Sequence, residues 1–258
     1  MEIILNNVSY LDQIRNVSFE VEDNKILGVV GSSDSFKDVL FDIISGFSMP
    51  TSGKVMYGSD YRNFGLVHKY IDDQFFYDNV LEQFMFTLKT HGILNVQKRI
   101  EDSLKIVHLG RDILDRNFYD LSLSEKVKVK FALALSINPE VLILYEPLFG
   151  LDRNDSDNVL KIIRMMKLRY GKTIIIFSKD TDLIYKVCDD AVLFNDGEVV
   201  RFGDKNSIFV NEKLMKICKL NIPKNVEFSK IVKRKKKVDI GFKCDFDDLV
   251  KDIYRFVR

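Results

Sequence analysis

The most constraining feature of this sequence is the stretch from Val141 to Asp152. It begins with a run of apolar residues, Val-Leu-Ile-Leu-Tyr, which is typical of a strand buried on both faces of a parallel sheet. Glu146 follows the run directly, and Pro147, which has no amide hydrogen for a sheet ladder, ends the strand. Ligands of open α/β sheets bind at the carboxyl ends of the strands, so Glu146 lies where a binding site is expected.

The composition indicates a globular protein and does not identify a ligand. The 258 residues correspond to one or two domains, and 46% hydrophobic with 30% charged residues is a globular balance. The net charge of +1 argues for no special partner, and no apolar run approaches the ~18 residues of a spanning helix. The three cysteines lack metal-ligand spacing and are interpreted as reduced thiols. We therefore expect any membrane contact to be made through a partner.

A second motif lies near the start of the chain. The apolar strand Ile26–Val30 runs into a loop at residues 31–36, and a helix with an apolar face follows Lys37. Strand, loop and helix in this order form the context of a phosphate-binding loop, in which backbone amides and a lysine hold the phosphates. Such loops use glycines because they need positive φ angles and a close approach of backbone to phosphate.

These two stretches resemble the Walker A and Walker B motifs of ABC-type ATPases, with several departures. Phe36 stands in place of the second Walker A glycine, Asp34 in place of an additional glycine, and Asp38 in place of the hydroxyl residue that holds magnesium. Tyr145 stands where Walker B carries the magnesium-directing aspartate. The resemblance implies that the nucleotide-binding residues of the first motif are Gly31, Ser32, Ser33, Asp34, Ser35, Phe36, Lys37, Asp38 and Val39.

The same resemblance assigns further positions around the nucleotide. Lys69 stands at the position of the Q-loop glutamine, and Lys179 stands at the position of the switch histidine that senses the γ-phosphate. Tyr10 is the candidate for stacking on adenine, and an ordinary strand aromatic is the alternative interpretation. Glu146 is the retained Walker B carboxylate, and Asp38 is the candidate metal ligand.

The segment upstream of Walker B resembles the ABC signature, Leu-Ser-Gly-Gly-Gln. Ser122 with Glu125 also forms a capping box, which any helix can use, so position in the chain carries the assignment. Leu151 and Asp152 match the D-loop. The signature residues of this chain are Leu121, Ser122, Leu123, Ser124 and Glu125.

Residues 73–76 and 79–80 narrow the resemblance to ATPases of energy-coupling factor (ECF) transporters. The fold implied is α/β: a P-loop NTPase with a RecA-like parallel sheet, an antiparallel β-subdomain, a helical subdomain at about 72–138 and a short helical C-terminal extension. We expect an ATPase domain at 1–205 and the extension at 206–258, which in the family packs against the partner ATPase. The basic run 233–237 is interpreted as a solvated loop, with attraction to anionic lipid headgroups as the alternative.

The resemblance implies an ATP-binding subunit of an ECF-type importer of vitamins or metal ions, at the cytoplasmic face of the membrane. ATP and Mg²⁺ are the implied cofactors. The implied partners are an intact sister ATPase, a transmembrane coupling subunit and a substrate-binding membrane component, with no nucleic acid. Only Lys37 and Glu146 remain of the side chains that hold phosphate, magnesium and water, so we predict a catalytically degenerate half of a heterodimer. The alternatives are a slow ATPase, in which Asp38 binds the metal and Glu146 orients water, or a soluble regulatory protein.

Family geometry would gather six charged residues around one cavity. We predict that Lys69 and Lys179 neutralise Asp38 and Glu146, because buried charges are tolerated when they are paired. The competing hypothesis is that the lysines hold a triphosphate without magnesium. The six residues are Asp34, Lys37, Asp38, Lys69, Glu146 and Lys179.

Overall fold

The structure, a computed structural model, describes residues 2–58, 63–70 and 75–256, with side chains through Tyr254. Two residues of the predicted ECF-like segment, Asp73 and Gln74, lie outside the described residues, as does the side chain of Phe256. In the described part of the chain, no helix has the length and apolar composition needed to span a membrane.

A six-stranded sheet forms the centre of the molecule, in the order β5-β6-β7-β3-β8-β9. The pairs from β5 to β8 are parallel, and β9 pairs antiparallel with β8 across the turn at Asp196–Gly197, where both residues have positive φ. The predicted parallel core is therefore confirmed, and the Asp-Gly turn is of a kind favoured in hairpins. The strands are β3 (Ile26–Val30), β5 (Gly65–Val67), β6 (Val141–Tyr145), β7 (Thr173–Ser178), β8 (Asp190–Asn195) and β9 (Glu198–Asp204).

A smaller antiparallel sheet lies beside the main one, in the order β2-β1-β4. In its strand β2, Val17, Phe19 and Val21 are buried while the residues between them are exposed. This alternation has the period of a strand with one face on the core. The strands of this sheet are β1 (Ile3–Tyr10), β2 (Ile14–Val21) and β4 (Ser52–Tyr57).

Helices cover the main sheet and extend beyond it. Gly171, with a left-handed backbone, ends α5 as the sequence predicts. Two 3₁₀ turns, at 111–115 and 118–120, precede α4. The α-helices are α1 (Lys37–Ile44), α2 (Val80–Thr90), α3 (Val96–Ile106), α4 (Leu123–Ser136), α5 (Arg153–Tyr170), α6 (Thr181–Val187), α7 (Lys205–Phe209), α8 (Glu212–Ile217), α9 (Lys224–Lys236) and α10 (Phe246–Phe256).

The main sheet separates two hydrophobic cores because successive side chains of a strand point to opposite faces. In β6, Leu142 and Leu144 face the larger core with the helical subdomain. Ile143 and Tyr145 face the smaller core, which β1, β2 and α1 complete. Tyr145 is therefore directed toward α1, the helix that follows the phosphate-binding motif.

The C-terminal extension is part of the larger core. Phe209, Met215 and Val226 are fully or almost fully buried within it. The basic run 233–237 forms the last turn of α9 and its C-cap, so the prediction of a loop was wrong. Lysines near a helix C-terminus are favoured by the helix dipole, and Lys233 also pairs with Asp239 at 2.6 Å.

We expect Phe209→Ala to lower the free energy of unfolding by about 3–5 kcal/mol, because it opens a cavity in the larger core. Tyr254→Ala, at a side chain of the same extension that is 72% exposed, is the control and should change it by no more than about 0.5 kcal/mol. Urea unfolding of the full chain measures both values. Equal stability of Phe209→Ala and the unaltered protein would contradict this placement of the extension.

Candidate functional site

Four chain segments meet at the carboxyl edge of the main sheet. Loop 31–36 follows β3, Lys69 follows β5, Glu146 follows β6 and Lys179 follows β7. Because these strands are parallel neighbours, their carboxyl ends lie at one edge of the sheet. The fold thus brings together the two Walker-like motifs and the two lysines that the sequence predicts beside them.

Loop 31–36 has the compact form that a phosphate-binding loop needs. The Ser35 hydroxyl and amide both donate to the carbonyl of Ser32, at 2.8 and 3.3 Å. A Cβ atom at Gly31 would lie 2.5 Å from the carbonyl oxygen of Phe194, so only glycine fits that position. The loop is therefore fixed by its own hydrogen bonds and by the neighbouring strand.

Phe36 adopts the backbone conformation of the glycine that it replaces. Its φ of 61° and ψ of 24° are left-handed, and it is the N-cap of α1. Its ring is partly buried against the smaller core, where Tyr10 and Val39 are also partly buried. The loop shape thus persists without the glycine, at a cost of roughly 1–3 kcal/mol for a left-handed residue that is not glycine. Asp34 and Asp38 flank this position and are both exposed.

Lys37 is buried below the loop. Its ammonium donates to the carbonyl of Ser32 at 3.0 Å and lies 4.0 Å from Oε1 of Glu146. Burial lowers the pKa of Lys37, and the negative charges of Glu146 and Asp38 oppose that change. This lysine is placed to meet an anion at the N-terminus of α1.

Glu146 is held firmly by the end of β7. The Ser178 hydroxyl donates to Oε2 at 2.6 Å, and the amide of Lys179 donates to Oε1 at 2.9 Å. Its φ of 47° is left-handed, and its own amide donates to the carbonyl of Phe177. Each carboxylate oxygen therefore accepts one hydrogen bond, which fixes the orientation of the group.

Tyr145, at the position of the metal-directing aspartate, lies in a cluster of aromatic rings. Its ring centroid lies 5.3 Å from that of Phe41, 4.8 Å from that of His68 and 6.2 Å from that of Phe177. Burial raises the pKa of its hydroxyl far above its usual value, so the phenol stays neutral. Magnesium requires oxygen ligands in near-octahedral geometry. The buried ring of Tyr145 supplies no carboxylate, so the residue at this position does not fit a magnesium ligand. The described residues also contain no group of three or more His, Cys, Asp or Glu placed to hold a metal ion.

Lys69 lies over aromatic rings and has no carboxylate partner among the described residues. Its ammonium is 5.4 Å from the ring centroid of Tyr145 and 4.6 Å from that of Tyr70. The Lys179 side chain is exposed, and in the described part of the chain it forms no ion pair either. The predicted pairing of these two lysines with Asp38 and Glu146 was therefore wrong.

Sequence reasoning missed the residue that fixes Lys69. Lys130, buried within α4, donates from its ammonium to the carbonyls of His68 and Tyr70, the residues on either side of Lys69. A lysine inside the apolar run that ends α4 was the available signal, because a buried lysine needs partners. The signature helix is thereby tied to the Lys69 segment.

The signature segment forms the predicted capping box. The Ser122 amide and hydroxyl both donate to Oε2 of Glu125 at 2.8 Å, and the Glu125 amide donates back to the Ser122 hydroxyl. These hydrogen bonds, together with Arg116, hold the pKa of Glu125 below its usual range. Glu125 thus occupies donors that an anion approaching this helix end would use. Leu121 is buried, Leu123 is 40% exposed and Ser124 is half-buried.

The D-loop is packed against the signature of the same chain. A Cβ atom at Gly150 would lie 2.5 Å from Cδ2 of Leu123, so the two segments are in close contact. Asp152 caps α5 by accepting from the amide of Asp155, and Leu151 packs on the larger core. Hydrogen bonds from Ser124 and Lys128 hold the pKa of Asp155 below its usual range. These contacts hold the N-terminus of α4 and the N-terminus of α5 in fixed positions relative to each other.

The C-terminal extension reaches the flank of the site, which the sequence did not predict. A cavity of about 600 Å³ lies between Ser32 and Ser33 on one side and the segment 219–224 on the other. Lys224 donates its amide to Asp182, a residue of α6, at 2.7 Å. The extension therefore lines one wall of the space beside loop 31–36.

Comparisons with known proteins agree with this geometry. The ABC transporter family profile matches residues 14–149. The ECF transporter ATP-binding protein EcfA2 of Thermotoga maritima is 32% identical over 74% of this chain and 75% of its own. EcfA3 of Oenococcus oeni is 27% identical over 91% and 90%. The structure is similar to that of cbiO1 from Clostridium perfringens, described as part of the ABC transporter complex cbiONQ, with a TM-score of 0.71 and 23% identity over 88% of this chain and 98% of that one.

We expect Tyr145→Ala to lower the free energy of unfolding by about 3–5 kcal/mol, because it removes the centre of the aromatic cluster. Tyr145→Phe keeps the ring and is the matched control, with an expected loss below about 1.5 kcal/mol. Denaturant unfolding without nucleotide compares them. If Tyr145→Ala were as stable as Tyr145→Phe, the ring would not carry the structural role assigned to it.

Proposed function

Because this chain belongs to the ABC transporter family, we propose that it is an ATP-binding subunit of an ECF-type importer that does not itself hydrolyse ATP. The proposal takes its transporter class from the relatives that carry ECF names. In this function the chain is one half of an ATPase heterodimer, and an intact sister subunit performs the hydrolysis.

The observation that carries the proposal is the replacement of the metal site by the buried ring of Tyr145. Phosphoryl transfer depends on a metal ion that neutralises charge on the phosphates and on a carboxylate free to position water. Tyr145 supplies no metal ligand to this chain, and Glu146 is held by Ser178 and Lys179. Loop 31–36 with Lys37 still suits the phosphates of ATP, since it combines the start of a helix with a buried ammonium.

The signature supports a structural role toward the sister subunit. In a pair of ABC subunits, the signature of one chain faces the nucleotide on the other. Ser122 and the start of α4 would take that place here, but Glu125 accepts their hydrogen bonds and Leu123 covers the approach. We therefore propose that this chain supports hydrolysis in the sister site only weakly.

An exposed apolar surface on the helical subdomain suits a membrane partner. Leu81, Met85 and Phe86 of α2 are 37–48% exposed, and Phe76 beside them is 75% exposed. Apolar side chains that cluster at a surface mark interaction sites. We propose that the transmembrane coupling subunit docks here and holds the chain at the cytoplasmic face of the membrane. Vitamins or metal ions are the proposed solutes, chosen by the substrate-binding membrane component.

We expect Glu146→Gln to leave the ATPase rate of the reconstituted pair within twofold of the original, because this site does not perform hydrolysis. The same substitution at the Walker B glutamate of the sister subunit is the control and should reduce the rate at least 100-fold (about 2.7 kcal/mol in the barrier). Phosphate release from the purified one-to-one complex measures both. A comparable loss from Glu146→Gln would instead favour the slow ATPase.

A second expectation concerns the signature. Replacing Leu123 and Ser124 with glycine and Glu125 with glutamine should raise the ATPase rate of the pair several-fold, because it removes the negative charge at the helix start and opens the approach. Glycines in the first turn cost about 1 kcal/mol each, so the melting temperature of the variant is measured alongside. Glu125→Gln alone is the partial control. An unchanged rate in a folded triple variant would mean that the segment serves only as a helix cap.

A further inference from the structure

We infer that the site is a metal-independent polyphosphate clamp, in which Lys37, Lys69 and Lys179 bind the triphosphate of free ATP and Lys69 takes the place of the divalent cation. The inference rests on the proposed function, because it assumes that loop 31–36 still faces a nucleotide. It goes further because it states that this chain binds ATP without magnesium.

The first support is an excess of cations over close anionic partners. Lys37 and Lys69 both lie near the ring of Tyr145, at 5.9 and 5.4 Å from its centroid. Among the described residues, the one ion pair that any of the three lysines makes is the 4.0 Å contact of Lys37 with Glu146. Among the residues that the structure describes, Lys69 is balanced by the faces of aromatic rings.

The charges of the three lysines also act on each other. Burial lowers the pKa of Lys37 most, Glu146 and Asp38 raise it, and the positive charges of Lys69 and Lys179 lower it to a smaller extent. The three ammonium groups therefore repel one another across the site. A bound polyanion would remove this repulsion and favour the charged form of Lys37. The triphosphate of ATP supplies such an anion with its negative charge spread over a chain of oxygens.

The nearby carboxylates leave this balance open. Glu146 is held by the Ser178 hydroxyl and the Lys179 amide, so its charge is already partly compensated. Asp34 and Asp38 are exposed, as is Lys179, so solvent and salt screen all three of these charges. Buried Lys37 and partly buried Lys69 are screened less.

A divalent cation is a poor competitor for the same place. It would meet the aromatic face of Tyr145 and the ammonium of Lys69 where it needs oxygen ligands. The Lys69 ammonium, in contrast, brings its charge to the site without any coordination shell. MgATP is therefore expected to bind less well than ATP without magnesium.

Lys130 prepares Lys69 for this role. By donating to the carbonyls of His68 and Tyr70, it fixes the backbone on both sides of Lys69 before any ligand arrives. A group held in place in advance loses less conformational freedom on binding, which strengthens the complex. Lys130 is thus a positioning residue for the clamp.

Titration calorimetry of the full chain with ATP tests the clamp, once in EDTA and once in excess magnesium. We expect binding in EDTA to be at least tenfold tighter, or about 1.4 kcal/mol. Lys69→Gln should weaken binding in EDTA at least tenfold and reduce the difference between the two conditions. Lys213→Gln, at an exposed lysine of α8, is the matched control and should change neither affinity. Thermal melts without ligand establish that both variants are folded.

Three results would overturn the clamp: binding that requires magnesium, no binding in either condition, or equal affinity of Lys69→Gln and the unaltered chain in EDTA. Sodium tripolyphosphate in EDTA provides a further arm, since a phosphate clamp predicts that it competes with ATP. Failure to compete would assign binding to the base and sugar and would also reject the clamp. The Lys69→Gln and tripolyphosphate results concern the clamp alone, whereas absent binding or a magnesium requirement would also count against the proposed function. The Glu146→Gln rate of the pair tests the proposed function independently of the clamp.

Discussion

The packing of Tyr145 against Phe41 and Phe177 determines how the rest of the site is arranged. The ring joins the end of β6 to α1 and to β7, three of the elements that surround loop 31–36. Burying such a ring stabilises the fold by about 1.5–3 kcal/mol, and each favourable aromatic contact adds about 0.5–1.5 kcal/mol. This stabilisation is present without ligand. The chain therefore builds into its core a connection for which an active relative would use a metal ion and its nucleotide.

Two residues near that ring have strained backbones. Phe36 and Glu146 are both left-handed, although neither is glycine. Their conformations persist because hydrogen bonds and core packing on either side over-determine them: the Glu146 carboxylate accepts from Ser178 and Lys179, and the Phe36 ring packs on the smaller core. Two residues of the Walker-like motifs thus keep left-handed backbones although the sequence departs from the family pattern around them. This arrangement fits the proposed role, in which the sister subunit hydrolyses ATP.

Connections between the parts of the chain support a coupling role. Lys130 links the signature helix α4 to the Lys69 segment, and Leu123 packs against Gly150 of the D-loop. The C-terminal extension lies in the larger core and also lines the cavity beside Ser32 and Ser33. The signature helix thus contacts the Lys69 segment and the D-loop, and the extension lies beside loop 31–36; these are the two regions proposed to meet the sister subunit.

The sequence by itself determined the architecture and the place of the site. The apolar run before Glu146, the strand–loop–helix at Ile26–Lys37 and the Asp-Gly turn each specify their structure through local patterns, so the parallel sheet and the residues at its edge were predictable. The Ser122–Glu125 capping box was also visible, because its two residues are three apart on one helix. The basic run was assigned wrongly to a loop, because helix formation there depends on α9 packing its buried Val226 into the larger core.

Only the tertiary structure decided which charges meet. Lys69 and Lys179 are close to acidic residues by family geometry, yet side-chain direction brings Lys69 over aromatic rings and leaves Lys179 exposed. Lys130 lies about 60 residues from the carbonyls it binds, and the Ser178 hydroxyl reaches Glu146 from another strand. Contacts between segments so far apart depend on strand order and rotamers, which no local pattern encodes. The sequence therefore identified the motifs and their departures from the family pattern, and the fold decided which of their side chains lie in contact.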